Sequence, residues 1–411
     1  MRLVHWISGV LVFSLTAPQL VPAQLLLGTI TELNPPVAAG SAQPFLSVST
    51  TGVFYLSWME PGAKTKHAFR FASFDGSKWS AARTIAEADD YFVNWADVPS
   101  ILPHSDGTLI AHWLNRSGPS TYAYDVQLSF SRDGGNGWSN PLTPHRDGTQ
   151  TEHGFVSLFE LPGHKVGLIW LDGRQMIMAE ASDHSGHGSG GMTLRSAVFS
   201  TDGKLEEEHL IDPLVCECCP TAVTPTQDGI LIAYRDRSPE EVRNIFTARL
   251  SQGKWSSPQL VFDDGWKIPG CPVNGPAFAR EGNMTAIAWF TAPEGAAQVN
   301  VAFSNDAGTT FSRPLRVDGG KPLGRVGINL LPGGTALVVW LEYGDNTAEL
   351  RGRLVSPTED LQDSFLIASV SADRASGYPR VARSGRRVLF AWTETGSTKK
   401  VKVAEVLLQS K

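Results

Sequence analysis

The sequence predicts an all-β fold arranged as a ring of sheets, and three observations lead there. Gly 40 and Pro 26 among 411 residues supply turns throughout, charged residues are only 18%, and hydrophobic ones reach 42% with 12 Trp and 19 Phe. That composition can bury a large core and rules out wholesale disorder, collagen-like and coiled-coil architectures. A Gly- or Lys/Arg/Asn-led turn followed by a short apolar strand ending in an aromatic residue occurs seven times along the chain. Too few residues then follow the last copy for a complete unit, so the two chain ends have to meet.

In chain order, residues 1–23 stand outside the fold. Arg2 and His5 precede an apolar run from Trp6 to Leu15, and Val21-Pro22-Ala23 offers small residues before Gln24. This is the pattern of a secretory signal cleaved near Ala23. The mature chain, 24–411, is expected to be a single secreted or periplasmic domain. It has no apolar stretch approaching the roughly 20 residues of a membrane span. A net charge of −6 without a Lys/Arg run argues against a nucleic-acid partner, whose phosphates require concentrated positive charge.

The repeated phrase first appears as Gly52-Val-Phe-Tyr-Leu-Ser-Trp58. It returns at Gly107–Trp113, Lys165–Trp170, Gly229–Tyr234, Asn283–Trp289, Gly334–Trp340 and Arg386–Trp392, the terminal aromatics lying 51 to 64 residues apart. Each interval holds about four short strands, so the repeat reads as a β-propeller of four-stranded blades. Seven blades are predicted; six plus an edge hairpin is the rival count. After Trp392 there is room for one more strand, Lys400 to Leu408. The outer strand of the last blade is then supplied by the mature N-terminus, where Leu26 to Pro35 resembles the fourth-strand text Trp255 to Phe262. Such closure covers edges that an open array would expose.

A second motif sets direction. Ser131-Arg-Asp133-Gly-Gly135-Asn-Gly-Trp138 and Ser304-Asn-Asp306-Ala-Gly308-Thr-Thr-Phe311 share the form S-x-D-x-G-x-x-aromatic, with eroded copies at Ser73–Trp79, Ser200–Gly203 and Gln252–Trp255. The Asp carboxylate can accept N–H groups of the tight turn, Gly supplies a positive φ, and the aromatic packs on the blade. These are Asp-boxes, and through them essentially the whole mature chain resembles the sialidase-like (BNR-repeat) propeller superfamily. In sialidases an arginine cluster binds the substrate carboxylate, with an Asp acid/base and a Tyr–Glu nucleophile pair. Here that pattern is incomplete. The first blade opens on Gln43-Pro44-Phe45 without an Arg-Ile-Pro phrase, and Glu342 and Tyr343, as strand neighbours, point to opposite sides.

In an up-and-down meander the turns alternate between the two faces of the disc. The loops after each aromatic and those entering the next blade share one face, and they are unusually polar. They carry Asn115-Arg116, Asp172-Gly-Arg174, Arg235-Asp236-Arg237 and Glu342, together with Asn94-Trp95-Ala-Asp97, Glu152-His153, Asn274, Arg325 and Tyr378-Pro-Arg380. Arg174, Arg235, Arg237 and Arg325 can clamp an anion by bidentate hydrogen bonds or serve inter-blade salt bridges. With Asp236, Asn274, Trp95 and Tyr378 they form the expected binding set, and an anionic glycan is the expected ligand. Asp97 and Glu152, in corresponding entry loops of adjacent blades, are the carboxylates a glycoside hydrolase of this type would use, each competing with a simple backbone-capping role.

All four cysteines, Cys216, Cys218, Cys219 and Cys271, fall in two consecutive entry loops. In an exported chain an even count predicts two disulfides, with Cys271 pairing into the triplet and no cofactor. The alternative is a soft-metal site in which thiolates hold Cu(I) or Zn with His153 or His112 nearby, or a redox centre. A non-catalytic scaffold for protein partners is the third class. His184 and His187, in a Gly/Ser-rich stretch, read as exposed.

Overall fold

The computed structural model describes residues 25–176, 190–344 and 347–410. The expected signal segment and the His184/His187 stretch lie outside them. The described residues form seven antiparallel sheets taken in chain order, and the first strand of each lies against the first strand of the next, the seventh against the first. Seven blades are present.

Blade 1 comprises Ala42–Val48, Phe54–Glu60, His67–Phe74 and Arg83–Ala88, and blade 2 Ser100–Pro103, Leu109–Arg116 and Tyr124–Ser131. Blade 3 comprises His153–Leu161, Lys165–Asp172, Met192–Ser200 and Leu205–Val215; blade 4 runs from Ala222–Pro225 to Gln259–Phe262 and blade 5 from Ala277–Glu281 to Leu315–Arg316. Blade 6 runs from Pro322–Leu330 to Phe365–Val370. Blade 7 joins Arg380–Ser384, Arg387–Glu394 and Lys400–Ser410 to the N-terminal Leu25–Leu27 and Thr31–Leu33, both paired with Lys400–Ser410. The expected closure is therefore realised, with the N-terminal strand broken into two short pieces. Among the described residues no helix is long and apolar enough to cross a membrane.

The seven repeated aromatics are the packing units. Trp58, Trp170, Tyr234, Trp289 and Trp340 are fully buried, and Trp113 and Trp392 nearly so. Each fills the gap between adjacent blades, which is why the middle of these second strands is mostly apolar and buried: both faces are covered. Truncating one to Ala would cost roughly 3–5 kcal/mol. Three indoles are satisfied two residues along the same strand: Trp58 Nε1 donates to Glu60 Oε2 at 2.6 Å, Trp170 to Asp172 Oδ2 at 2.7 Å and Trp340 to Glu342 Oε2 at 2.7 Å. A buried N–H without such a partner would be costly.

The S-x-D-x-G turns close as their chemistry requires. Asp133 Oδ1 accepts the N–H of Asn136 and Gly137 at 3.0 and 2.9 Å, and Asp306 Oδ1 those of Thr309 and Thr310 at 3.0 and 2.9 Å. Gly135, at φ 87°, could not carry a side chain, because a Cβ would stand 2.2 Å from the ring of Phe71 in blade 1.

Blade 2 departs from four strands. After its turn the chain reads Asn140-Pro-Leu142-Thr-Pro-His145, and only Leu142 pairs, exchanging both backbone bonds with Leu128. Pro144, two residues on and next in that ladder, has no N–H to give, so the fourth strand shrinks to one bridge. The chain from 143 to 152 is thereby released to the polar face.

Candidate functional site

The register places the polar loops together. In each blade the start of strand one pairs with the end of strand two, as in His153 with Asp172 and Pro322 with Glu342. Entry loops and post-aromatic loops therefore share one face. A central cavity of about 350 Å³ lies beneath it, lined by the first strand of every blade and including Asp97, Phe155, Tyr378 and Arg380. At this rim four non-glycine residues adopt left-handed backbone conformations: Gln43 (φ 56°), Phe155 (φ 54°), Val273 (φ 47°) and Arg325 (φ 53°). Gln43, Phe155 and Arg325 occupy matching positions of blades 1, 3 and 6, each two residues before the one paired opposite the neighbour of the repeated aromatic, whereas Val273 lies four residues before its counterpart Ala277. Such backbone costs about 1–3 kcal/mol per residue.

Asp97 and Glu152 come together through a residue the sequence did not single out. Tyr124 Oη donates to Glu152 Oε1 at 2.7 Å and lies 3.4 Å from Asp97 Oδ2. The two carboxylate oxygens are thus at most about 6 Å apart, below the wider spacing of inverting glycosidases. Tyr124 is 1% exposed, and its ring stacks on Phe92 with centroids 3.8 Å apart. Asp97, also 1% exposed, accepts the Phe155 N–H at 2.8 Å. Burial pushes its carboxyl up to about 7, even though the bonds from Phe155 and Tyr124 pull it down. Burial and the adjacent Glu152 and Asp97 carboxylates hold the Tyr124 phenol far above its ordinary value. Gly154 makes the contact possible: a Cβ there would stand 2.0 Å from Asp97 Oδ2 and 2.8 Å from the Tyr124 ring. A Tyr–Glu pair is thus present, drawn from two strands; Glu342 instead caps Gly319 and Lys321, and Tyr343 is exposed.

Three of the four singled-out arginines are consumed by the fold. Arg235, 1% exposed, donates to the carbonyls of Asn274, Arg243 and Phe290 at 2.8, 2.6 and 2.6 Å and lies over the Trp266 ring. Arg237 pairs with Glu217 and Glu241, and Glu217 also takes Arg243 at 2.7 Å. Arg174 grips Asp172 bidentately at 2.8 and 2.7 Å and reaches Glu208 at 3.0 Å. Asp236 is half-buried, and burial together with Asp212 pushes its carboxyl up to about 7. Asn274 clasps blade to blade, its Oδ1 accepting the Arg325 N–H at 2.7 Å.

Arg325 differs. Its guanidinium donates to Ser376 Oγ at 2.8 Å and to the Gly377 carbonyl at 3.0 Å, and it lies 4.6 Å from the Trp95 ring centroid. Trp95 stacks on Tyr378 with centroids 6.1 Å apart, and Arg380 stands over the Tyr378 and Phe45 rings at 5.8 and 5.0 Å. Burial pulls both guanidinium groups below their ordinary value, Arg380 to about 10. The hydrogen bonds and ion pairs described for these two arginines, as for Arg235, include no carboxylate; Arg325, 6% exposed, also donates to the Asp373 carbonyl at 3.3 Å, and both guanidinium groups lie against aromatic faces.

The cysteines converge without bonding. No pair stands at disulfide distance: Cys216 and Cys218 Sγ are 4.0 Å apart, about twice an S–S bond, so the two expected disulfides are absent from this structure. The sulfurs of Cys216, Cys218 and Cys219 lie within 4.8 Å of one another, and Cys218 also contacts Cys271. Burial pushes the Cys216 thiol up to about 12. Burial acts likewise on Cys219, but donation from Cys216 and Cys218, the Arg235 charge and the Asn274 N–H outweigh it and hold Cys219 well below the ordinary thiol range. Neither histidine that was expected beside the sulfurs is in that cluster. His112 is buried against Ser100 Oγ at 2.8 Å, and His153 packs among carboxylates.

No family model matches the sequence, and no curated protein does. Among solved structures the fold is widely shared. A polysaccharide lyase of family PL25, an ulvan lyase bound to -[GlcA(1-4)Rha3S]-, superposes with a TM-score of 0.59 at 11% identity over 90% of this chain and 95% of that one. A protein of unknown function from Dyadobacter fermentans gives a TM-score of 0.52 at 14% identity over 95% of this chain and 100% of that one. The NanB sialidase of Streptococcus pneumoniae gives 0.48 at 10% identity over 92% of this chain and 95% of that one. The chain has a seven-bladed β-propeller fold. At these identities the likeness is one of architecture. In this propeller the site has to be argued from its own side chains.

Proposed function

We propose that this propeller is an exported protein that binds an anionic glycan across the rim of its polar face and hydrolyses it. The observation that carries the reading is the Asp97–Tyr124–Glu152 set, two carboxyls bridged by one phenol beside the central cavity. With its carboxyl near 7, Asp97 can hold a proton at neutral pH and act as the acid toward a glycosidic oxygen, while Glu152 is the nucleophile or base. Tyr124 positions both. Trp95 and Tyr378 offer faces for sugar rings, and Arg325 and Arg380 offer charge to a carboxylate or sulfate. The ulvan lyase of the same fold, bound to -[GlcA(1-4)Rha3S]-, supports an acidic glycan as ligand.

The test is a panel of sialylated, uronate-containing and sulfated oligosaccharides with neutral counterparts. Binding of acidic members with release of reducing ends is the expected result, and Glu152→Gln should lose the release while keeping the binding. Arg325→Gln should weaken acidic ligands about tenfold or more and leave neutral ones unchanged. Products bearing an unsaturated uronate would replace hydrolysis by elimination, and failure of every acidic glycan to bind would end the reading.

A second reading is favoured by the sulfurs. Three thiols about 4 Å apart match the spacing of thiolates around one ion at about 2.3 Å, and a soft metal such as Cu(I) fits that donor set. Titration of the unfolded protein without reductant should then return four thiols per chain, whereas two disulfides would exclude this reading.

A further inference from the structure

The loop released by the missing fourth strand of blade 2 carries His145-Arg-Asp147-Gly-Thr149, and it delivers His145 against His153 at the start of blade 3. The two imidazoles stack face to face, centroids 3.7 Å apart and 5° from parallel. Both residues are buried, His153 completely and His145 at 6% exposure. Asp125, on the third strand of blade 2, faces the edge of this stack. Its Oδ1 lies 3.4 Å from His153 Nδ1 and 3.7 Å from His145 Nε2. On the opposite edge Asp147 spans the pair, Oδ1 at 3.1 Å from His145 Nδ1 and Oδ2 at 3.3 Å from His153 Nε2. Thr149 fixes Asp147 through its N–H, at 3.1 Å, and its hydroxyl.

We propose that Asp125, His145 and His153 are the ligands of a divalent first-row cation of the zinc type, with Asp147 as the carboxylate that orients both imidazoles. Donors at about 2.0–2.2 Å from a tetrahedral ion stand about 3.4 Å from one another, the scale of the separations above. The 3.4 and 3.7 Å separations from Asp125 are too long for good hydrogen bonds; Asp125 Oδ1, His145 Nε2 and His153 Nε2 are buried with no hydrogen-bond partner, and His153 Nδ1 also faces the Tyr124 carbonyl at 3.3 Å. A carboxylate on the far nitrogen of each ligating histidine is how metal sites fix tautomer and ring orientation. The flank of His153 toward Asp172 is already served by a cation, since Arg174 lies 2.7 Å from Asp172 and 3.5 Å from Asp147. The ion therefore belongs on the Asp125 side.

Charge points the same way. Asp125, Asp147, Asp172 and Glu208 face Arg174 and Arg195, leaving two negative charges for the histidines and an ion to balance. Asp125 is about a quarter exposed, which leaves a coordination position open to solvent. The site adjoins the proposed glycan centre, because Asp125 follows Tyr124 and His153 follows Glu152 on their strands, yet it stands whether or not that reading does. It is separate from the thiol cluster.

The experiment is zinc binding to the full mature chain after removal of metal with a chelator, followed by calorimetric titration with Zn²⁺ and X-ray absorption of the loaded protein. A nitrogen/oxygen shell containing imidazole is expected, in wild type and in a Cys216→Ser/Cys218→Ser variant alike. His145→Gln and His153→Gln should each weaken that binding at least about hundredfold, and Asp147→Asn about 10- to 100-fold. Circular dichroism of each variant reports folding; should His153→Gln not fold, exposed-edge Asp125→Asn provides the same test. Absence of bound zinc, a sulfur-only shell, or affinity unchanged in His145→Gln would overturn the proposal.

Discussion

Replacing Asp97 by Asn isolates the cost of keeping a carboxyl beside Tyr124 and Glu152. Burial raises the Asp97 carboxyl from its ordinary 3.8 to about 7. Folding therefore prefers the protonated form. The native state is at no disadvantage below about pH 4, loses stability as the unfolded chain ionises while Asp97 cannot, and reaches its full penalty above about pH 7. Three units of displacement at 1.36 kcal/mol each give a penalty of about 4 kcal/mol. Asparagine mimics the protonated acid: its Oδ1 can take the Phe155 N–H, and its amide can donate to Tyr124 Oη while Tyr124 keeps Glu152. The stability of Asp97→Asn relative to wild type should thus grow by about 4 kcal/mol between pH 4 and pH 8, even as hydrolysis is lost. Urea denaturation of both proteins across that interval measures it. A difference that stays constant with pH would show that Asp97 ionises normally, and would remove it as the proton donor.

Gly154→Ala should drive a methyl into Asp97 and the Tyr124 ring, lowering stability by about 1–3 kcal/mol and abolishing turnover, as read by thermal melts and product assay. Arg235→Met should be a folding variant, losing about 3–5 kcal/mol in denaturant because three buried carbonyls lose their donor. Arg237→Met should cost less, because Arg237 is itself about a fifth exposed and its buried partner Glu217 keeps Arg243; equal damage would contradict that distinction. Hydrolysis should fall as pH rises through about 7, where Asp97 gives up its proton, and a pH–rate profile with no such limb would argue for another acid.

Much of the architecture was written in periodicity. Seven aromatics at nearly even spacing are seven places where a sheet must be covered on both sides, and the short C-terminal remainder forced the N-terminus into the last blade. The loss of a strand in blade 2 departs from the four-stranded expectation and came only from the structure, where Pro144 interrupts the ladder. Asp97 and Glu152 were legible because entry loops share a face. Tyr124 was not, since it ends no repeated phrase and reads as one more apolar strand residue. The arginines misdirected for the opposite reason. Sequence records that a charge exists near a rim, and its counter-charges, Glu217, Glu241 and Glu208, come from loops or strands whose proximity is tertiary.

What the sequence by itself determined is the repeat, its closure, the shared face and the clustering of sulfurs, because each follows from local periodicity and strand alternation. Only the tertiary structure decided which polar groups are spent on the fold and which remain for chemistry. Burial and pairing depend on neighbours brought in by strand pairing and by adjacent blades. They consumed Arg174, Arg235 and Arg237, and brought His145 to His153 and Tyr124 to Glu152.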